Sequence, residues 1–137
     1  MIKLASKIKH RFTVFPQDAN NVGTLFGGKL MSEMDMAAAM LCRKLIRSSE
    51  AEEAVTASFA KIDFLAPSHI NDLIEITAEL KMIGKSSLLI LLRATKEDPD
   101  GNQIKIGSSS ATFVSLKDKK SFPHGLRWDQ IENKYFE

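Results

Sequence analysis

The order of hydrophobic periods along this chain predicts an α+β fold: one antiparallel sheet of long strands packed on a single helix. Three observations point to it. A stretch near the N-terminus alternates polar and apolar, a stretch of about twenty residues then has helical period, and everything after it reads as strands separated by short polar turns.

From Lys7 to Phe15, residues Ile8, Phe12 and Val14 fall on one side, with Lys7, Lys9, Arg11 and Thr13 on the other, as in a strand with one solvated face. "PQDANNVGTLFGG" follows as a loop rich in turn formers. From Gly28 to Arg47, Leu30, Met34, Ala37, Ala38, Leu41 and Leu45 recur three and four apart. Lys29, Glu33, Arg43, Lys44 and Arg47 share the opposite side of that helix, which is expected to face solvent. At 1.5 Å per residue it would run roughly 30 Å. "SSEAEE" closes it with a polar turn.

Four strands are expected next. Ala54–Phe64 ends before Pro67; Asp72–Ile83 alternates with Ile74, Ile76, Ala78, Leu80 and Met82 inward. Ser86–Lys96 is apolar on both faces, so something should cover both. "EDPDGNQ" is a hairpin turn, and Ile104–Leu116 is the last strand. In the tail, residues 117–137, Trp128, Ile131 and Tyr135 stand at helical spacing and allow a short terminal helix. About five strands longer than the usual five or six residues, with one helix to cover their apolar face, are satisfied by a curved sheet wrapped around that helix. This is the hotdog architecture, expected here as one domain over residues 1–137.

A formal net charge of +2 supplies no global field that would draw the protein onto nucleic acid or a membrane, so an anionic ligand must be held by local charges. The single cysteine, Cys42, lies in the helix's apolar row and reads as a buried structural thiol; no internal disulfide can form, which suits a reducing compartment. "MIKLASKIKHRF" lacks the apolar core of a signal peptide, and no run is long enough to span a bilayer, so a cytoplasmic location is expected.

Chemistry concentrates between Phe15 and Asp35. Gly27 and Gly28 stand where loop becomes helix, where unpaired N–H groups and the positive end of the dipole suit a phosphate or a carbonyl oxygen gaining charge. A tight helix–sheet contact needing small residues explains the same pair equally well. Asp35 is an acid inside an apolar arc, in line with Met31 and Ala38; such a carboxylate is usually paired or functional. "GTLFGGK" has P-loop spacing, but Leu30 stands where magnesium binding needs Ser or Thr, and no strand–helix alternation follows. His10, His69 and His124 are far apart in sequence, no metal-ligand spacing or cofactor signature occurs, and there is no nucleophile elbow.

"PQDANNVGTLFGGKLMSEMDMAAA", "AVTASFAKIDFLAPS" and "IGKSSLLI" together resemble the hotdog acyl-CoA thioesterases, in the branch of bacterial short- and broad-range acyl-CoA hydrolases and eukaryotic cytosolic enzymes. The resemblance runs from about Phe12 to Val114. It implies hydrolysis of acyl-CoA to free acid and CoA, with no cofactor. Asp35 would be the catalytic acid, Asn20 a polar substrate-positioning residue, and the Gly27–Gly28 helix start the donor that polarises the thioester carbonyl. It also implies that Lys85, with Ser86 and Ser87, meets the nucleotide part of CoA. Two departures stand out: Asn71 precedes Asp72 where the family commonly has Gly, and Ala60 stands where an acid is frequent. Asn tolerates the left-handed backbone, so that turn should survive.

A non-catalytic acyl-CoA-binding hotdog module would keep the fold, but has no need of an acid in the apolar arc. A hotdog dehydratase generally pairs a His with an acid, and no histidine stands beside this block in sequence. Spacing along the helix argues for a homodimer as the minimal active unit: Asp35 is eight residues beyond Gly27, roughly 12 Å along the axis, too far for both to act on one thioester. Met36 and Met40 on the charged side of the helix, with the family's habit of assembly, suggest a tetramer or hexamer.

Overall fold

The computed structural model describes residues 3–137. Its one α-helix, α1 (Gly27–Leu45), lies against a sheet built from β1 (Leu4–Thr13), β2 (Glu53–Phe59), β4 (Leu73–Ile83), β5 (Ser87–Glu97), β6 (Gln103–Lys117) and β8 (Ile131–Tyr135). Two short strands, β3 (Asp63–Phe64) and β7 (Lys120–Ser121), pair with β6. The spatial order is β2-β6-β5-β4-β1-β8. All neighbours are antiparallel except β1 and β8, which are parallel.

The helix touches β1, β4, β5, β6 and β2. In a flat sheet β1 and β2 would be about 19 Å apart, four spacings of roughly 4.8 Å, whereas a helix is about 10–12 Å across. It reaches both only because the sheet curls round it, as the hotdog architecture requires. Bulges in the β2–β6, β4–β5 and β5–β6 ladders add local bend and twist. Leu30, Met34, Ala37, Ala38, Leu41, Cys42 and Leu45 form the buried stripe of α1, facing Ile74, Ile76, Leu88, Ile90, Leu92 and Phe113 of the sheet. Burial pushes the Cys42 thiol up to about 12, so it serves as core and not as a nucleophile. No helix among the described residues is long and apolar enough to cross a membrane.

Four local expectations need correction. The strand expected over 54–64 breaks at residues 60–62 into β2 and β3. Met82 is 60% exposed instead of inward, because the bulge between Leu80 and Met82 reverses the alternation. The tail forms no α-helix: a 3-10 turn at Trp128–Gln130 leads into β8, which covers part of the open edge of β1. Tyr135 sits there under the ammonium groups of Lys7 and Lys9, each 4.8 Å from its ring centre. Finally, Glu33 is buried rather than solvated. On β5 the inward Leu88, Ile90 and Leu92 are buried, while Leu89 and Leu91 on the other face are half-buried. Asn71 does adopt the left-handed backbone, with φ of 78°.

Candidate active site

The loop before α1 is organised by Asn20. Its Oδ1 accepts from the N–H groups of Val22 and Thr24, at 3.0 and 3.1 Å, and its Nδ2 donates to Thr24 Oγ1 at 2.9 Å. The helix begins at Gly27. Among the described residues, neither the Gly27 nor the Gly28 N–H finds an acceptor. Two free donors therefore stand at the positive end of a 19-residue helix. The helix–sheet packing explanation holds for Gly27 but not for Gly28, whose neighbour is the loop residue Phe26. A Cβ on Gly27 would lie 3.1 Å from the Phe64 ring, and one on Gly28 would collide with the ring of Phe26. Beside Gly27 opens a pocket of about 450 Å³ whose walls include Leu25, Leu30, Phe64, Leu65 and Ile106. Apolar walls next to unpaired N–H donors suit a ligand with a hydrocarbon body and a polar carbonyl.

Asp35 lies on the same helix but is held elsewhere. It is half-buried, and its Oδ1 accepts from the Thr56 hydroxyl of β2 at 2.7 Å. Thr56 was not singled out by sequence reasoning; only its place on the strand directly after the helix hinted at a partner. Thr56 pairs with Phe113 of β6, and Leu88 of β5 pairs with the same Phe113. Gly27 instead meets Phe64, which pairs with Gly107. Six residues of β6 separate those levels, about 20 Å at 3.4 Å per residue. Asp35, Thr56 and the turn before β5 thus occupy one end of the sheet, and Gly27 with its pocket the other. The chain does not bring Asp35 onto its own helix start.

On the opposite flank of α1 lies a cluster of charges. Glu33 binds His10 of β1 through Nε2 and accepts from Lys29 Nζ at 2.9 Å; Lys29 also lies 3.7 Å from Asp18. A cation in the first turn opposes the helix dipole, and here two carboxylates compensate it. Burial by itself would raise the Glu33 carboxyl, but hydrogen bonds from His10 and Lys29 more than offset that and hold it below its ordinary value. The bond to Glu33 raises Lys29 in turn. A histidine therefore does stand beside the glycine block in space, contrary to its distance in sequence. It pairs with Glu33 and not Asp35, roughly 200° away round the helix, and neither His10 nor Glu33 lines the pocket at Gly27.

Lys85, Ser86 and Ser87 form the turn from β4 to β5. The N–H groups of Lys85 and Ser86 have no acceptor among the described residues. Ser87 Oγ packs over Gly84, where an added Cβ would collide with it.

The profile of the thioesterase superfamily matches residues 22–102, and the chain belongs to that family. It is 37% identical over 116 residues to YkhA of Bacillus subtilis, described as an uncharacterized acyl-CoA thioester hydrolase, covering 81% of this chain and 63% of the relative. Among solved structures, it resembles an acyl-CoA hydrolase from Staphylococcus aureus determined with butyryl coenzyme A, coenzyme A and coenzyme A disulfide. The TM-score is 0.81 at 28% identity, over 96% of this chain and 78% of that one. Structures of the same enzyme exist with an asparagine, an aspartate or a threonine replaced by alanine. A hexameric acyl-CoA thioesterase is also similar, with a TM-score of 0.77 at 26% identity over 85% of this chain and 74% of that one.

Proposed function

We propose that this protein hydrolyses acyl-CoA thioesters to a free acid and CoA. One observation carries the reading: two unpaired N–H groups at the start of a long helix open beside an apolar pocket, while the acid on that helix is held near its middle. The acyl group enters the pocket, and the Gly27 and Gly28 N–H groups take up charge developing on the carbonyl oxygen. Asp35 activates a water or attacks the carbonyl directly, with Thr56 holding its carboxylate in one orientation. Asn20 positions the substrate from the loop whose shape it maintains. Lys85, Ser86 and Ser87 receive the nucleotide end of CoA, since the turn offers an ammonium, two hydroxyls and free N–H groups.

The geometry supports a dimer as the active unit. Roughly 12 Å of helix separates Asp35 from Gly27, and a carboxylate must come within about 3 Å of the group it serves. Asp35 of one protomer therefore acts with the helix start of its partner, and a two-fold axis provides two such sites. Strand β2 suits the seam: among the described residues it ends the sheet and pairs with β6 alone, and it carries no charge after Glu53. Met36 and Met40, 51% and 36% exposed on the outer side of α1, offer a further contact, consistent with a tetramer or hexamer. The proposed location is the cytoplasm, where CoA esters and a free thiol such as Cys42 coexist.

The test is turnover of acyl-CoAs of graded chain length, read as released thiol, with light scattering on the same sample. Release of CoA by a tetramer or hexamer is the expected result. Tight acyl-CoA binding without thiol release would overturn catalysis, and an active monomer would overturn the shared site.

A further inference from the structure

The turn that joins β4 to β5 is gripped from behind. The Lys85 carbonyl accepts from the backbone N–H of His124 at 3.3 Å. The Ser86 carbonyl accepts from the Ser115 N–H at 2.7 Å and shares the Ser115 hydroxyl, 3.1 Å away, with the nearer Phe122 carbonyl. The Ser87 carbonyl accepts from the Gly84 N–H at 2.9 Å and faces the His124 ring Nε2 at 3.0 Å. The other ring nitrogen, Nδ1, accepts from the Leu126 N–H at 3.0 Å, which assigns the proton to Nε2 and makes it the donor to Ser87. His124 is 4% exposed and Ser115 1%.

These bonds set the direction of the turn's free groups. No peptide bond here is cis, and in a trans peptide the C=O and the following N–H point opposite ways. With the Lys85 carbonyl drawn toward His124, the Ser86 N–H is turned outward, where it has no acceptor among the described residues. The Lys85 N–H is likewise unpaired. Successive free N–H groups form a concavity for an anion, and Lys85 brings an ammonium to the same turn. Leu126, which donates to His124, also packs against the core, so the ring is tied to a fixed point.

The geometry points to the His124 ring as a positioning group for phosphate recognition: it touches no ligand, but its bond to the Ser87 carbonyl, beside the backbone bond from the His124 N–H to the Lys85 carbonyl, holds the turn in its anion-receiving shape. This rests on the reading that Lys85, Ser86 and Ser87 meet the phosphates of CoA. A histidine that merely anchors the segment after β7 would stabilise the fold without distinguishing substrates.

The experiment compares an acyl-CoA with the same acyl group carried on pantetheine, which has the thioester but no phosphate or nucleotide. Wild type, Lys85→Ala, His124→Ala and His124→Gln are assayed with both. His124→Ala should raise KM for acyl-CoA about tenfold, the scale of a lost buried hydrogen bond, with kcat within about threefold. Its kcat/KM for the pantetheine ester should stay at the wild-type value. His124→Gln, which can still donate to the Ser87 carbonyl, should recover most of the KM. An equal loss on both substrates, or no change on either, overturns the proposal. Lys85→Ala separates the two levels: if it too treats the substrates alike, the phosphate reading of the turn fails and the role of His124 with it. If Lys85→Ala discriminates and His124→Ala does not, only the clamp is refuted. Should both His124 variants fail to fold, Ser115→Ala decides. It removes the hydroxyl shared between the Ser86 and Phe122 carbonyls and keeps the Ser115 N–H bond, and a KM rise of about threefold confined to acyl-CoA supports the clamp, while its absence refutes it.

Discussion

The Thr56 hydroxyl donates to Asp35 Oδ1 at 2.7 Å, tying a helix carboxylate to the strand at the end of the sheet. That bond leaves the other oxygen, Oδ2, without a protein partner among the described residues. In the proposed mechanism, Oδ2 is the oxygen that serves the water or the carbonyl.

On the proposed mechanism, Asp35→Asn keeps the shape but removes the carboxylate, so kcat should fall by at least about a hundredfold, with acyl-CoA binding within a few fold of wild type. Thr56→Val removes only the donor; kcat should drop about tenfold at nearly constant KM, and Thr56→Ser should restore it. Steady-state kinetics with calorimetric binding checks both. Asp35→Asn activity within tenfold of wild type would remove Asp35 from its central role.

Complementation tests the shared site. Asp35→Ala and Asn20→Ala, each nearly inactive alone, are unfolded together and refolded as a mixture. Random pairing makes about half of the dimers mixed, each with one intact site of two, so about a quarter of wild-type activity should return. Mixed dimers that form and remain as inactive as their parents would rule the arrangement out.

The charge cluster at the helix start predicts how stability depends on pH. Glu33 titrates below its ordinary value near 4.5, so its contribution is fully present above that pH and is lost as the pH falls through the folded-state value. Lys29 is raised, so its share persists below 10.5 and is lost as the pH rises through its folded value. Glu33→Gln should cost about 1.5–3 kcal/mol at neutral pH, the scale of a hydrogen bond to a charged group, and the gap to wild type should narrow below about pH 4. Urea denaturation across pH 3 to 8 measures it. A gap that stays constant over that range would show that charge on Glu33 plays no part.

By itself the sequence determined what depends on neighbours along the chain. The three- and four-residue recurrence of Leu30, Met34, Ala37 and Leu41 specified the helix and its buried face, and the alternation of Ile74, Ile76 and Ala78 specified β4. It also marked the "FGG" helix start, because glycines at a loop–helix junction have local consequences that can be read from spacing. Tertiary structure alone decided which groups meet across elements. Thr56 could be matched to Asp35 only once β2 was placed at the end of the sheet beside the helix, and His124 to the 84–87 turn only once the chain after β7 had come back. Glu33 reads as a solvated charge because periodicity equates charge with water; burial became tolerable through His10 and Lys29, one of them 23 residues away. In the same way, the spacing of Trp128, Ile131 and Tyr135 fits a helix, but the unpaired edge of β1 offered hydrogen bonds that only an extended chain could take up. Periodicity encodes which face of a segment is buried. The identity of its partners depends on strand order and chain return, contacts between residues distant in sequence that no local pattern records.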